Sequence, residues 1–139
     1  MPYQNEISLS RQTIIRVLSA TTFLLLVAST AGQIARHVFG HPGLMGLVPL
    51  FYVDQEGNVP TFFSAALLLC ASLLLALVSR LKKTSNDSRW LQWAILAFAL
   101  LYMAIDEASG IHELLQTPAK WLIGPQNAEG VLTYAWVLF

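Results

Sequence analysis

The 139-residue sequence is 55% hydrophobic and 12% charged, with eight Lys and Arg offset by eight Asp and Glu, about half the charged fraction of a water-soluble domain. Such a chain is not built for water as its main solvent, and with no net charge and no basic tract interleaved with aromatics it lacks the footprint of a nucleic-acid binder. Its single cysteine, Cys70, rules out an intrachain disulfide and a CxxC-type metal site.

Residues 17–35, 57–79 and 90–105 contain no Lys, Arg, Asp or Glu. A hydrocarbon core about 30 Å thick needs about 20 helical residues to cross it, so the first two stretches are long enough alone and the third reaches that length with its flanks. The first, over about 14–36, follows Arg11 and Arg16; this resembles a signal peptide but is read as a retained span. The connection after it carries His37 and His41, then Asp54, Glu56 and Asn58. The Gly57-Asn58 turn and Pro60, whose missing N–H costs nothing in a first helical turn, start the second helix at Val59 or Pro60, giving a span over 59–80. The basic loop "RLKKTSNDSR" comes next, with Asn86, Asp87 and Ser88 as capping candidates. A third helix is expected over 89–116, limited by Pro118. The closing run "VLTYAWVLF" reads as a partial fourth span from about residue 130, with the natural protein continuing beyond it. The expected fold is all-α integral membrane, with three transmembrane helices plus the start of a possible fourth in a single membrane domain over 1–139.

Six of the eight basic residues, Arg11, Arg16, Arg80, Lys82, Lys83 and Arg89, fall on one side of these spans, against Arg36 and Lys120 on the other. Positive charge resists translocation, which places the N-terminus and residues 80–89 in the cytoplasm and residues 37–58 and 113–129 outside. Tyr52, Trp90, Trp93 and Trp121 near the edges need no role beyond an aromatic belt.

The chemistry concentrates in "YMAIDEASGIHELL", residues 102–115. Sixteen residues of an upright helix from the cytoplasmic face climb about 24 Å, leaving Asp106 roughly 5 Å short of the far edge of the hydrocarbon. An ionised group there must be paired, protonated, metal-bound or turned toward water. At about 100° per residue, Tyr102, Asp106, Ser109, His112, Glu113 and Gln116 share one arc of about 120°, and Glu107 lies off it, facing another helix or snorkelling outward. Gly110 flanks the arc and would admit a close neighbour. His37, His41, Asp54 and Glu56 converge on the same side of the membrane. Asp106, His112, Glu113, Asp54, Glu56, His37 and His41 are therefore candidate ligands for a divalent metal ion, and Glu107 and Glu113 are candidate catalytic bases. The motif is not HExxH, nor the ExxH of di-iron bundles. The plain alternative is a solvated helix end with Asp106 paired to Arg36 or Lys120.

Asp54, Glu56, Asn58, Pro60, Thr61, Phe63 and Ser64, followed after a basic loop by Asp106, Glu107, His112 and Glu113, form a D-x-E-x-N-x-P-T-x-F-S run leading into one span and a DE-x4-HE run ending the next. This pattern resembles a family of uncharacterised bacterial multi-pass membrane proteins. The resemblance implies a bacterial inner membrane, a further span near "TYAWV" and a shared polar site, but no activity. A similarity to seven-span zinc-dependent lipid hydrolases fails on span count and on the missing paired histidines. Two function classes follow: a small accessory subunit of a larger membrane assembly, with lipid and other membrane subunits as partners, or a metal-dependent membrane enzyme or transport element. Chain size favours the first, because three spans can hardly enclose a midplane cavity.

Overall fold

The computed structural model describes residues 10–41 and 43–112. Glu113, residues 113–129 and the partial fourth span lie outside them. Every regular element among the described residues is a helix, and three helices are long and apolar enough to cross a membrane: Arg11–His37, Val59–Thr84 and Trp90–Ser109. The chain divides into two compact units, residues 1–55 and 56–139.

In the first unit, α1 runs Arg11–His37. Ser10, with extended backbone, caps it by accepting a hydrogen bond from the Gln12 N–H at 3.2 Å, satisfying a donor with no partner inside the helix. The hydroxyls of Thr21, Thr22 and Thr30 donate to the carbonyls of Val17, Leu18 and Leu26 at 2.9, 3.0 and 2.8 Å. Each hydroxyl is thereby satisfied inside its own helix, as a lipid-facing helix requires. A short 3₁₀ turn, Leu44–Gly46, then leads into α2, Leu47–Phe51, within the connection between the first two spans. Val48 of α2 is buried against Gly32 of α1, its Cα 3.6 Å from where a Gly32 Cβ would stand. The buried Ser29 hydroxyl accepts the Val53 N–H at 3.2 Å.

The second unit is a hairpin of α3, Val59–Thr84, and α4, Trp90–Ser109. Ser79 Oγ donates to the Trp90 carbonyl at 2.9 Å, Ser72 Oγ to the Ala97 carbonyl at 2.7 Å, and Ser64 pairs with Glu107. Partner numbers rise on α4 as they fall on α3, so the helices are antiparallel. Small residues line the seam: Ala65, Ala97, Ala104, Ser72 and Ser79 are all buried. Between helices immersed in lipid, close backbone approach and interhelical hydrogen bonds replace the hydrophobic drive that water would supply.

In the connecting turn, Asn86 adopts a left-handed backbone, φ 54°, which Asn tolerates better than most residues. Asp87 ties both helix ends together, bonding Lys82 Nζ at 2.7 Å and Arg89 Nε at 3.2 Å, and its Oδ1 accepts the Arg89 N–H at 3.0 Å. The Arg89 and then the Lys82 hydrogen bonds hold its carboxyl well below the usual carboxylate range. Lys83 Nζ sits 4.6 Å over the Trp90 ring. Of the expected Asn-Asp-Ser capping group, Asp87 thus meets the N–H of Arg89, the residue before α4, while no side chain caps the helix itself.

At the other end, the helix expected through residue 116 breaks at Gly110, whose left-handed φ of 61° closes α4 with its N–H on the Asp106 carbonyl at 2.7 Å. This is the usual stop for a helix whose next residue lacks a Cβ.

Candidate functional site

The polar end of the hairpin grows from the caps of α3 and α4. Gly57, at φ 71°, turns the chain so that Asn58 precedes α3 with extended backbone. Its Oδ1 accepts both the Thr61 N–H and the Thr61 hydroxyl, each at 3.1 Å. Glu56 is thereby held one turn before the helix. Across the seam, the Ser64 hydroxyl lies against the Thr61 carbonyl at 3.0 Å and against Glu107 Oε1. Having one hydrogen, it donates to one of them at a time. Glu107 therefore faces α3, the first of its two expected orientations.

The reversal at Gly110 swings His112 back over the end of α4. Asp106 Oδ1 accepts the His112 backbone N–H at 2.8 Å, and Asp106 Oδ2 lies 2.9 Å from His112 Nδ1. The other ring nitrogen, Nε2, is 2.8 Å from Glu56 Oε1. The imidazole is thus a bridge between a carboxylate preceding α3 and one on α4. The His112 and Asp106 side chains are about one-fifth exposed, at 22% and 23%, while Glu56 is more open at 34%. An imidazole satisfies two carboxylates at once only with hydrogens on both nitrogens; with one, a carboxyl must supply the other. The three groups are thus linked through the one imidazole at the mouth of the hairpin, with Glu107 and Ser64 on the same two helices.

Of the residues singled out in the sequence, Glu56, Asp106 and His112 meet directly, and Glu107 joins the same helix end through Ser64. His37, His41 and Asp54 belong to the first unit. There the His41 N–H donates to the Ala35 carbonyl at 3.0 Å, and Asp54 Oδ2 accepts the Tyr52 hydroxyl at 3.2 Å. Asp106 pairs with His112 within its own unit; Lys120, one of the two partners expected of a merely solvated helix end, lies outside the described residues. Among the described residues, no group of three or more His, Cys, Asp or Glu side chains is arranged to hold a metal ion. The roles of Ser64 and Thr61 were not foreseen. The spacing of Ser64 two turns into an apolar helix gives no sign that it would face a carboxylate.

Fold and site together define an all-helical protein with three candidate membrane spans and an acid–imidazole–acid bridge at the end of an antiparallel hairpin. The chain belongs to the family described as a domain of unknown function (DUF8692), whose model matches residues 17–139. No curated protein and no solved structure matches it.

Proposed function

We propose that the protein is a small component of a larger membrane assembly, spanning a bacterial inner membrane with its N-terminus and basic turn in the cytoplasm and the Glu56–His112–Asp106 bridge at the outer face. The observation that carries this reading is how little of each span is covered. Only 6% of the most apolar window of α1, 17% of that of α3 and 11% of that of α4 is buried. Surfaces of this kind are satisfied by lipid and by neighbouring helices. The 6:2 distribution of basic residues supports the orientation. Purification of the full chain in a mild detergent should bring down the same membrane proteins at fixed stoichiometry, and in-cell crosslinking should place them against α1 or α3. A chain that is monomeric in native membranes, with no crosslinked neighbour, refutes the reading.

A second reading, a proton-handling or catalytic element, is favoured by the bridge itself. A ring held between two carboxylates can take a proton from one and release it to the other, with no change in heavy-atom positions. A divalent ion at Asp106, His112 and Glu56 would require His112 to give up at least one carboxylate, since an imidazole nitrogen binds a metal through its lone pair. Elemental analysis of the purified protein beside His112→Ala separates the two forms of this reading. A stoichiometric metal lost in the variant supports the ion, and metal-free protein with a functional defect in the variant supports proton transfer.

A further inference from the structure

The segment after α1 has a composition unlike a surface connection. Residues 38–53 contain no Asp, Glu, Lys or Arg, and uncharged apolar stretches too short to span are typical of re-entrant or interfacial segments. Its side chains divide cleanly. Val48 is buried on α1, while Leu44, Met45, Leu47 and Leu50 are exposed, Met45 completely. Water is a poor neighbour for four large apolar side chains in so short a piece.

The contacts with α1 give the depth. Val53 bonds Ser29 and Val48 packs on Gly32, which lie about 12 Å and about 7.5 Å back along the helix from its end at His37 at 1.5 Å per residue. The 27 residues of α1 measure about 40 Å, roughly 10 Å more than the hydrocarbon. Even if all of that excess protruded on this side, Ser29 would remain below the edge, and the segment bonded to it folds back beside the span. Arg11 and Arg16 at the opposite end draw the excess there and set Ser29 deeper.

Backbone polarity, the usual obstacle to non-spanning chain in lipid, is met in part by internal bonds. The Gly46 N–H donates to the Gly43 carbonyl at 2.7 Å, that of Tyr52 to Pro49 at 3.4 Å, and that of Val53 to the Ser29 hydroxyl. Pro49 has no N–H to hide. Leu44 and Met45 hold left-handed backbones, φ 41° and 58°, a conformation unfavourable for bulky residues. They turn apolar side chains outward at the cost of that strain.

We propose that residues 43–53 form a re-entrant segment seated in the lipid of the leaflet where α1 ends, with Leu44, Met45, Leu47 and Leu50 among the acyl chains. The inference rests on the membrane-spanning reading, and one experiment tests the two separately. Nitroxide labels are attached to native Cys70, exposed midway along α3, and, in a Cys70→Ser background, to Met45→Cys and Leu50→Cys. The full-length protein is reconstituted in phosphatidylcholine vesicles, and collision with oxygen is compared with collision with a polar nickel chelate. Labels at 45 and 50 should favour oxygen over the chelate, as at Cys70. If the Cys70 label is oxygen-rich but those at 45 and 50 meet the chelate freely, the segment lies in water and the inference fails alone. Labels at 45 and 50 shielded from both reagents mean that protein covers the face, which also overturns it. A Cys70 label open to the chelate removes the membrane-spanning reading and this inference together.

Discussion

Removing the imidazole from the bridge tests whether the three groups act as one unit. His112→Ala leaves the backbone N–H of residue 112 on Asp106 but deletes both ring contacts, at 2.9 Å to Asp106 and 2.8 Å to Glu56. A hydrogen bond to a charged group contributes about 1.5–3 kcal/mol when well shielded, and an exposed ion pair about 0.2–1 kcal/mol. With Asp106 at 23% exposure and Glu56 at 34%, the Asp106 contact falls near the lower end of the first range and the Glu56 contact within the second. The single substitution should therefore cost about 2–3 kcal/mol. Double-mutant cycles apportion that loss. His112→Ala with Asp106→Asn should show a coupling of about 1–2 kcal/mol, and His112→Ala with Glu56→Gln about 0.5 kcal/mol. Asn at 106 retains an oxygen for the backbone N–H, so the cycle isolates the ring contact. Reversible unfolding in mixed micelles, titrated with sodium dodecyl sulfate, measures all the variants on one scale. Coupling to Asp106 no larger than coupling to Glu56, or both within about 0.3 kcal/mol of zero, would refute a ring held chiefly by the α4 carboxylate.

Ser72→Ala should cost about 0.6 kcal/mol by the same unfolding assay, the usual worth of an interhelical hydrogen bond in a bilayer, since its hydroxyl donates to Ala97 at 2.7 Å. Ala104→Leu, which forces a large side chain into the buried seam, should cost about 1–3 kcal/mol. Asn58→Ala removes the acceptor for the Thr61 N–H and hydroxyl and should lose about 1 kcal/mol, with hydrogen exchange quickening in the first turn of α3 before anywhere else in the hairpin. Because hydrogen bonds from Arg89 and Lys82 lower the Asp87 carboxyl in the folded protein, its contribution is complete above the ordinary Asp value, about 3.9, and is lost only as pH falls through the lower folded value. Carbon NMR of the Asp87 carboxyl in micelles should show it still ionised where a free Asp is half protonated; an ordinary titration there would contradict the two-cation clamp.

The spans were legible because their signal is additive. Many apolar residues must agree before a helix can cross lipid, and residues 17–35 and 57–79 do so without one charged residue among them. The start of α3 was legible for a local reason, since Asn58 and Pro60 leave the backbone few alternatives. The re-entrant fold of residues 43–53 was not, because an uncharged apolar connection satisfies composition equally well as surface loop, short helix or lipid-facing turn. What separates these is the contact of Val48 with Gly32 and of Val53 with Ser29, pairings that no periodicity encodes.

The site shows the same division, with a sharper consequence. Asp106, Glu107, His112 and Glu56 could be picked out because ionisable groups near an apolar edge need partners, but the arc drawn through residue 116 assumed an unbroken helix. On such a helix, six residues carry His112 about 9 Å along the axis and about 240° around it from Asp106, beyond reach of a 2.9 Å contact. In sequence Gly110 is only a small residue beside the arc; its left-handed φ folds the chain back so that residue 112 reaches both Asp106 oxygens and the carboxylate of Glu56. The bridge thus depends on one backbone reversal more than on the spacing of the charged residues. Gly110→Ala, which meets the same φ with a Cβ attached, should therefore reproduce most of the His112→Ala defect while leaving every ionisable group in place.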